Sequence, residues 1–194
     1  MILNFFESQM GKRAIFRRCY LVLLVALFCV LFATSPALAG INDDKFDGNI
    51  YALYGGNGSL VPPRVTLADS LKRKKPAILV FFVDDSSDCK QFASVVSGVQ
   101  AFYGRAADIL PINVDTIPVK SSYERTEPGY YYSGVVPESV IIDGSGNVVL
   151  DAKGQVPFET IDDAFRKVFD LVPRTESKEL KRRSFNEFNS ELSK

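Results

Sequence analysis

Very few side chains in this sequence could act as nucleophiles or as metal ligands. The chain has three cysteines, Cys19, Cys29 and Cys89, and no histidine. Without histidine it can form neither a His-ligated metal site nor a pair in which histidine activates a serine or cysteine. Three cysteines do not make a disulfide framework either. We therefore expect no metal and no cofactor, and thiol chemistry is confined to these three residues.

Cys89 ends the polar run Ser86-Ser87-Asp88-Cys89, which follows a strongly apolar stretch. That stretch, residues 77–83, predicts a central strand buried on both faces. The serines and acids after it are typical caps for a helix. The apolar residues then recur every three or four positions up to Tyr103, which predicts a helix with one apolar side. Cys89 is therefore expected about one turn into that helix, on its apolar face.

The composition describes a globular protein without a bias toward nucleic acid. The chain has 194 residues, of which 46% are hydrophobic, with 15 Phe and 8 Tyr. This is enough apolar material for a sizeable core. Basic and acidic residues are equal in number, at 23 each. Because nucleic-acid binding needs a basic surplus, we expect no nucleic-acid partner.

The first 39 residues have the order of a secretory signal. Four basic residues lie between Lys12 and Arg18, an apolar run covers residues 19–33, and small residues follow at Ala37 and Ala39. As a helix the run would span roughly 23 Å, short of the ~30 Å hydrocarbon core of a bilayer. We predict either a signal peptide cleaved after Ala39 or a retained membrane anchor, with the bulk of the chain exported.

The rest of the chain predicts an α/β domain between two less regular segments. Residues 40–63 are expected to be irregular, with 50–54 as a candidate first strand, and Thr66 is a candidate N-cap for a short helix. The remaining elements follow in order: a second strand over 108–115, a long connection over 116–134, a hairpin with strands at 139–142 and 148–151, a helix over about 157–171, and a polar tail over 173–194. The strand–helix–strand order implies a parallel βαβ unit.

Over residues 64–172 this order resembles a thioredoxin fold. The resemblance rests on four motifs: Lys75-Pro76-Ala77-Ile78-Leu79-Val80-Phe81-Phe82, Cys89-Lys90, Asn113-Val114-Asp115, and Tyr132-Ser133-Gly134-Val135-Val136-Pro137. It implies a three-layer α/β/α sandwich with a mixed central sheet, preceded here by an N-terminal hydrophobic helix. It also implies that Val136, Pro137 and Glu138 form a cis-proline loop that can pair with an extended peptide. The alternative is that Pro137 only fixes a tight loop of the fold.

The sequence departs from thioredoxins at the redox site. Ser86 matches the attacking cysteine, and Val80 matches the buried acid that assists proton transfer. Dithiol exchange needs a low-pKa thiolate and a second, resolving thiol. The exported domain has neither, so we predict that it is not a dithiol enzyme. Cys89 is then either a small buried core residue or a single thiol that forms mixed disulfides with a partner.

Three consecutive tyrosines, Tyr130, Tyr131 and Tyr132, lie in the long connection. Because they cannot all face one way, at least one is expected to be exposed. Exposed tyrosines are frequent in protein interfaces, so the three are a candidate contact surface. Packing of the connection against the sheet is the alternative.

The whole arrangement resembles a more particular group, the thioredoxin-like thylakoid membrane proteins of cyanobacteria known as photosystem I accumulation factors. The resemblance rests on the N-terminal hydrophobic segment, the Ser-Ser-Asp-Cys site, residues 128–137, and the run Val140-Ile141-Ile142-Asp143-Gly144-Ser145-Gly146. It implies a role in the accumulation or assembly of photosystem I on the lumenal side of the thylakoid membrane. Its partners would be photosystem I subunits or other assembly factors.

Three functions therefore stay open on the sequence. The first is a non-catalytic assembly factor that binds protein partners at the degenerate site, the tyrosines or the tail. The second is a redox protein that uses Cys89 for mixed disulfides with an exported or lumenal partner. The third is a holdase-like module that resembles the inactive domains of protein disulfide isomerases.

Overall fold

The computed structural model describes residues 17–29 and 40–177. The chain divides into two compact units, Met1–Ala39 and Gly40–Lys194. In the first unit, residues 17–29 are helical. No helix within the described ranges has the length and apolar character needed to cross a membrane. Most of the predicted signal or anchor, and residues 178–194 of the predicted tail, lie outside the described residues.

The second unit is built on a four-stranded mixed sheet. Its strands are β1 (Ala77–Phe82), β2 (Asp108–Asn113), β3 (Glu138–Ile142) and β4 (Val148–Lys153), in the spatial order β2-β1-β3-β4. β1 pairs with β2 in parallel, whereas β3 pairs with both β1 and β4 in antiparallel fashion. This confirms the predicted βαβ unit followed by a hairpin.

The central strand β1 contributes to a hydrophobic cluster on each face of the sheet. Alternate side chains of a strand point to opposite faces, and all six residues of β1 are buried. Ile78, Val80 and Phe82 belong to a first cluster, and Ala77, Leu79 and Phe81 belong to a second cluster. The continuous apolar run in the sequence is thus explained by burial on both sides.

Helices cover the two faces unequally. They are α1 (Ile50–Leu53), α2 (Leu67–Lys72), α3 (Ser87–Tyr103) and α4 (Phe158–Val168). Residues of α1, α3 and α4 pack in the first cluster, whereas Leu67 of α2 packs in the second. On the second face, short 3-10 turns at Val114–Thr116 and Pro128–Tyr130 and the connection around them add to the covering layer. The predicted thioredoxin-like α/β/α sandwich is therefore confirmed.

The prediction of a first strand over residues 50–54 is wrong, because this segment forms helix α1. The Asn49 side chain accepts hydrogen bonds from the main-chain N–H groups of Tyr51 and Ala52 and so caps the helix N-terminus. Tyr51 is fully buried, and its ring meets the Phe82 ring edge-on at 5.0 Å between centroids. The apolar residues here bury one side of a single helical turn, which short apolar runs do not distinguish from a strand.

The last helix ends earlier than predicted, at Val168 instead of near Leu171. The main-chain N–H of Phe169 still donates to Phe165, but Asp170 adopts a left-handed conformation with φ of 51°. Such a residue turns the chain out of the helix. Arg166 then holds the chain beyond the helix, because its guanidinium donates to the carbonyl of Val172 at 2.7 Å.

Candidate functional site

The N-terminus of α3 is capped by side chains of the protein itself. Ser86 is the N-cap, and its Oγ accepts a hydrogen bond from the Cys89 N–H at 3.3 Å. The Ser87 N–H donates to Asp44 Oδ1 at 2.9 Å. The dipole and free N–H groups of a helix N-terminus could otherwise stabilise a thiolate. Here a serine hydroxyl and a carboxylate already occupy two of those donors.

Cys89 lies inside the core and not at the surface of the site. Only 2% of the residue is exposed, and it packs in the first cluster. Burial raises the pKa of the Cys89 thiol, and the charges of Asp88 and Asp84 raise it further, against the lowering effect of hydrogen bonds from Val83 and Ser86. This environment favours the neutral thiol, which is a poor nucleophile.

Asp84 ties together three elements beside the degenerate site. Its Oδ2 accepts a hydrogen bond from the Asn113 side chain at 2.9 Å, and its Oδ1 accepts one from the Ile50 N–H at 3.4 Å. Burial raises the pKa of the Asp84 carboxyl, although these hydrogen bonds oppose the shift. Asp84 therefore joins the ends of β1 and β2 to helix α1. The sequence had predicted Asp84 only as part of a polar helix cap.

The buried contacts of Lys90 are the part of the site that the sequence did not predict. Its side chain is fully buried, and Nζ donates to Asp47 Oδ2 at 2.6 Å and to Asp43 Oδ1 at 3.2 Å. It also donates to the carbonyl oxygens of Gly40 and Asp43. We call residues 40–49 the strap, because these contacts and that of Asp44 hold the segment across the start of α3. The three aspartates within five residues were the available sequence signal.

The cis-proline loop leads from the long connection into β3. The Val136–Pro137 peptide bond is cis, and the Pro137 carbonyl accepts a hydrogen bond from the Gly154 N–H at 2.7 Å. Val136 packs against the cluster that contains Cys89. Glu138 follows in β3 with no exposed surface, and its Oε2 accepts from the Ser133 N–H at 2.9 Å. The sequence motif is thus brought beside Cys89, while its role in peptide binding stays a prediction.

The loop before Pro137 offers unused hydrogen-bonding groups. Within the described part of the chain, the main-chain N–H groups of Gly134, Val135 and Val136 donate to no other protein atom. Val135 is 44% exposed, so its side chain is open to contact with a partner. An extended peptide could pair with such a loop by adding strand-like hydrogen bonds.

The three consecutive tyrosines divide between packing and exposure. Tyr131 and Tyr132 pack against the second cluster, and the Tyr132 ring lies 5.1 Å from that of Phe81 between centroids. Tyr130 is 48% exposed. The connection therefore packs on the sheet through two of the tyrosines and leaves the third in contact with solvent, where it remains a candidate contact residue.

Across residues 17–29 and 40–177, no three Cys, Asp or Glu side chains converge in a way that could hold a metal ion.

Sequence identity to a thylakoid membrane protein places the chain in a family. The thylakoid membrane protein slr1796 of Synechocystis sp. is 58% identical over 156 residues, which cover 80% of this chain and 78% of that protein. The chain belongs to the family of this thylakoid membrane protein. No protein-family model matches the chain.

Two solved thioredoxins are among the structures similar to this member of the slr1796 family. Fasciola hepatica thioredoxin has a TM-score of 0.40 and 16% identity, and the match covers 52% of this chain and 89% of that one. Chloroplastic thioredoxin z has a TM-score of 0.43 and 17% identity, with coverage of 55% and 92%.

Because Cys89 is buried, we predict that its thiol reacts slowly in the native protein. In a full-length variant with Cys19→Ser and Cys29→Ser, we expect a thiol probe to label native Cys89 at least about 100-fold more slowly than in denaturant, because labelling requires opening of the core. The labelling rate in native buffer and in denaturant measures this. Equal rates would contradict the assignment of Cys89 to the core.

Proposed function

We propose that this protein is a non-catalytic thioredoxin-fold protein that binds protein partners and supports the accumulation or assembly of photosystem I in the thylakoid membrane. The bulk of the chain would lie on the lumenal side. The thylakoid location rests on the family of slr1796, and the link to photosystem I rests on the sequence resemblance described above. Photosystem I subunits or other assembly factors would be the partners.

The proposal rests on one observation: a loop with free main-chain N–H groups accompanies a thiol that is buried. In the degenerate site the thiol is buried, and donors at the helix N-terminus are already bonded within the protein. The neighbouring Gly134–Val136 main chain, in contrast, is free to pair with another chain. A site of this kind keeps the means to hold a peptide while lacking the groups to react with it.

The single-cysteine redox function finds less support. Mixed-disulfide formation needs a thiolate that a partner sulfur can reach. Cys89 is 2% exposed, and burial is the first cause of its raised pKa. A partner would therefore have to open the first cluster before any disulfide could form.

A co-purification experiment tests the binding site. Full-length tagged protein, as wild type or with Val135→Asp, is isolated from solubilised thylakoid membranes and the recovered photosystem I subunits are quantified. We call the proposed peptide site along Gly134–Pro137 the groove. We expect Val135→Asp to reduce recovery roughly tenfold, because a charge in the groove must be desolvated on binding. Val119→Asp is the matched control, since Val119 is fully exposed in the same connection; it should bind as wild type does.

Three outcomes would count against the proposal. Equal recovery with Val135→Asp would exclude this groove as the contact. Recovery of many unrelated proteins in similar amounts would favour a holdase-like module over an assembly factor. Recovery of photosystem II subunits alone would contradict the assignment to photosystem I.

A further inference from the structure

A cavity of about 470 Å³ lies away from the degenerate site. Its walls come from the end of α2, the long connection and the β3–β4 turn: Leu71, Lys74, Arg125, Tyr131 and Gly144–Gly146. The strand pairing fixes its position, because Ala77 at the start of β1 pairs with Ile142, just before this turn, whereas Phe81 pairs with Glu138 of the cis-proline loop. The cavity and the groove are therefore at opposite ends of the sheet.

Two basic residues, Lys74 and Arg125, line the cavity. Lys74 and Arg125 form no ion pair within residues 40–177, and no carboxylate lines the cavity. The neighbours of Lys74 behave differently, because Arg73 and Lys75 both bind Asp108, at 2.7 and 2.8 Å. Within the described residues, Asp108 therefore pairs with two cations of the basic cluster at the end of α2 and leaves Lys74, the one that lines the cavity, without an ion pair.

The nearest acid of the turn is directed into the turn itself. Asp143 Oδ1 accepts hydrogen bonds from the main-chain N–H groups of Ser145 and Asn147, at 2.8 and 2.9 Å. Asp143 Oδ2 accepts from the Asn147 side chain at 3.1 Å. These bonds hold the carboxylate in the turn, and within residues 40–177 it forms no ion pair with Lys74 or Arg125.

The backbone around the two cations is held in place. The Tyr131 hydroxyl donates to the Arg125 carbonyl at 2.9 Å, and the Arg125 guanidinium lies 5.9 Å from the centroid of the Tyr130 ring. Lys74 has a φ of 52°, and a Cβ at Gly144 would come within 2.5 Å of the Lys74 carbonyl oxygen. Only glycine allows the turn to approach α2 this closely, so the cavity has a defined shape.

We propose that this cavity binds a small organic compound through a phosphate-like anionic group. Lys74 and Arg125 would supply charge-assisted hydrogen bonds, and guanidinium groups match phosphate oxygens well. The Ser145 hydroxyl, which has no partner in the described part of the chain, would add a donor. Leu71 and Tyr131 would contact the apolar part of the compound, and the volume is in the range of small-molecule sites. This site is independent of the proposed groove.

Binding of simple probes to the full-length protein in a neutral detergent tests the site. The first arm titrates inorganic phosphate, and the second titrates the short-chain lipid dihexanoyl phosphatidylglycerol, each followed by calorimetry. Saturable binding of phosphate with weaker binding of the lipid indicates a soluble phosphate compound as the ligand. The reverse order indicates a lipid headgroup. Absence of saturable binding in both arms would overturn the proposal.

Paired variants assign the binding to the cavity. We expect Lys74→Gln with Arg125→Gln to weaken the binding of the better probe at least about tenfold. Lys72→Gln with Arg105→Gln removes the same charge from residues outside the cavity and should leave binding within about twofold of wild type. Arg125→Gln alone serves if the double variant fails to fold. Equal loss in both pairs would mean non-specific attraction and would also overturn the proposal.

Discussion

Replacing Lys90 by methionine is expected to lower the melting temperature of the protein by roughly 5–10 °C. Methionine is unbranched and only one atom shorter but has no charge, so Asp43 and Asp47 lose their shared cation. The carbonyl oxygens of Gly40 and Asp43 lose a donor at the same time. The strap is then held by fewer contacts, and we expect it to become the first site of proteolysis within residues 40–177.

Lys72→Met is the matched control, because Lys72 is an exposed cation at the end of α2. Thermal unfolding followed by circular dichroism and limited proteolysis are the two measurements. A Lys90→Met protein that melts with the wild type and keeps its strap protected would contradict the structure at this point. If Asp47→Asn and Lys90→Met are combined, the loss should be smaller than the sum of the single losses, because both variants remove the same Lys90–Asp47 ion pair.

Replacing Asp108 by alanine is expected to reduce the free energy of unfolding by about 2–4 kcal/mol. Asp108 is 8% exposed and accepts hydrogen bonds from the Ser70 hydroxyl, Arg73 and Lys75. The Arg73 side chain is 47% exposed, so its share of the loss is small. Most of the effect comes from Lys75 and from buried Ser70, which loses its carboxylate partner. Denaturant unfolding of Asp108→Ala and of Asp151→Ala, an exposed control in β4, measures this.

The same carboxylate gives the stability a defined pH dependence. Burial alone would raise the pKa of Asp108, but the hydrogen bonds from Lys75 and Ser70 and the charges of Lys75 and Arg73 outweigh it and lower the pKa. Its stabilisation is therefore complete above the pKa of an unfolded aspartate, about 3.9, and is lost as the pH falls through the lower folded value. The difference in unfolding free energy between wild type and Asp108→Ala should shrink on acidification. A difference that grows would contradict this assignment.

Local patterns in the sequence were enough to predict the framework of the domain. The apolar run of β1 and the spacing of apolar residues in α3 are properties of neighbouring residues. Their order was enough to identify the fold, and the position of Cys89 within α3 followed from it. The wrong prediction of a strand over residues 50–54 shows where local patterns stop being informative. A single turn of helix has too few residues for its periodicity to be recognised.

The long-range contacts of Lys90 and Asp108 could not be predicted in this way. Lys90 binds residues 43 to 50 positions earlier, and Asp108 binds residues 33 to 38 positions earlier. The cluster of aspartates at residues 43–47 marks an acidic segment, but over such distances the sequence does not indicate which lysine will meet it. Lys90 lies on a helix between Cys89 and Gln91, where a solvated lysine is the ordinary expectation. Only the fold brings the strap back to cover it.

The ratio of photosystem I to photosystem II in the source organism tests the central claim most directly. A strain that lacks this gene is complemented with wild type or with Cys89→Ala, and both photosystems are quantified spectroscopically. We predict a lowered ratio in the deletion strain and full restoration by both forms, because the partner is bound without thiol chemistry. A folded Cys89→Ala protein that fails to restore the ratio would contradict the non-catalytic function. An unchanged ratio after deletion would contradict the role in photosystem I.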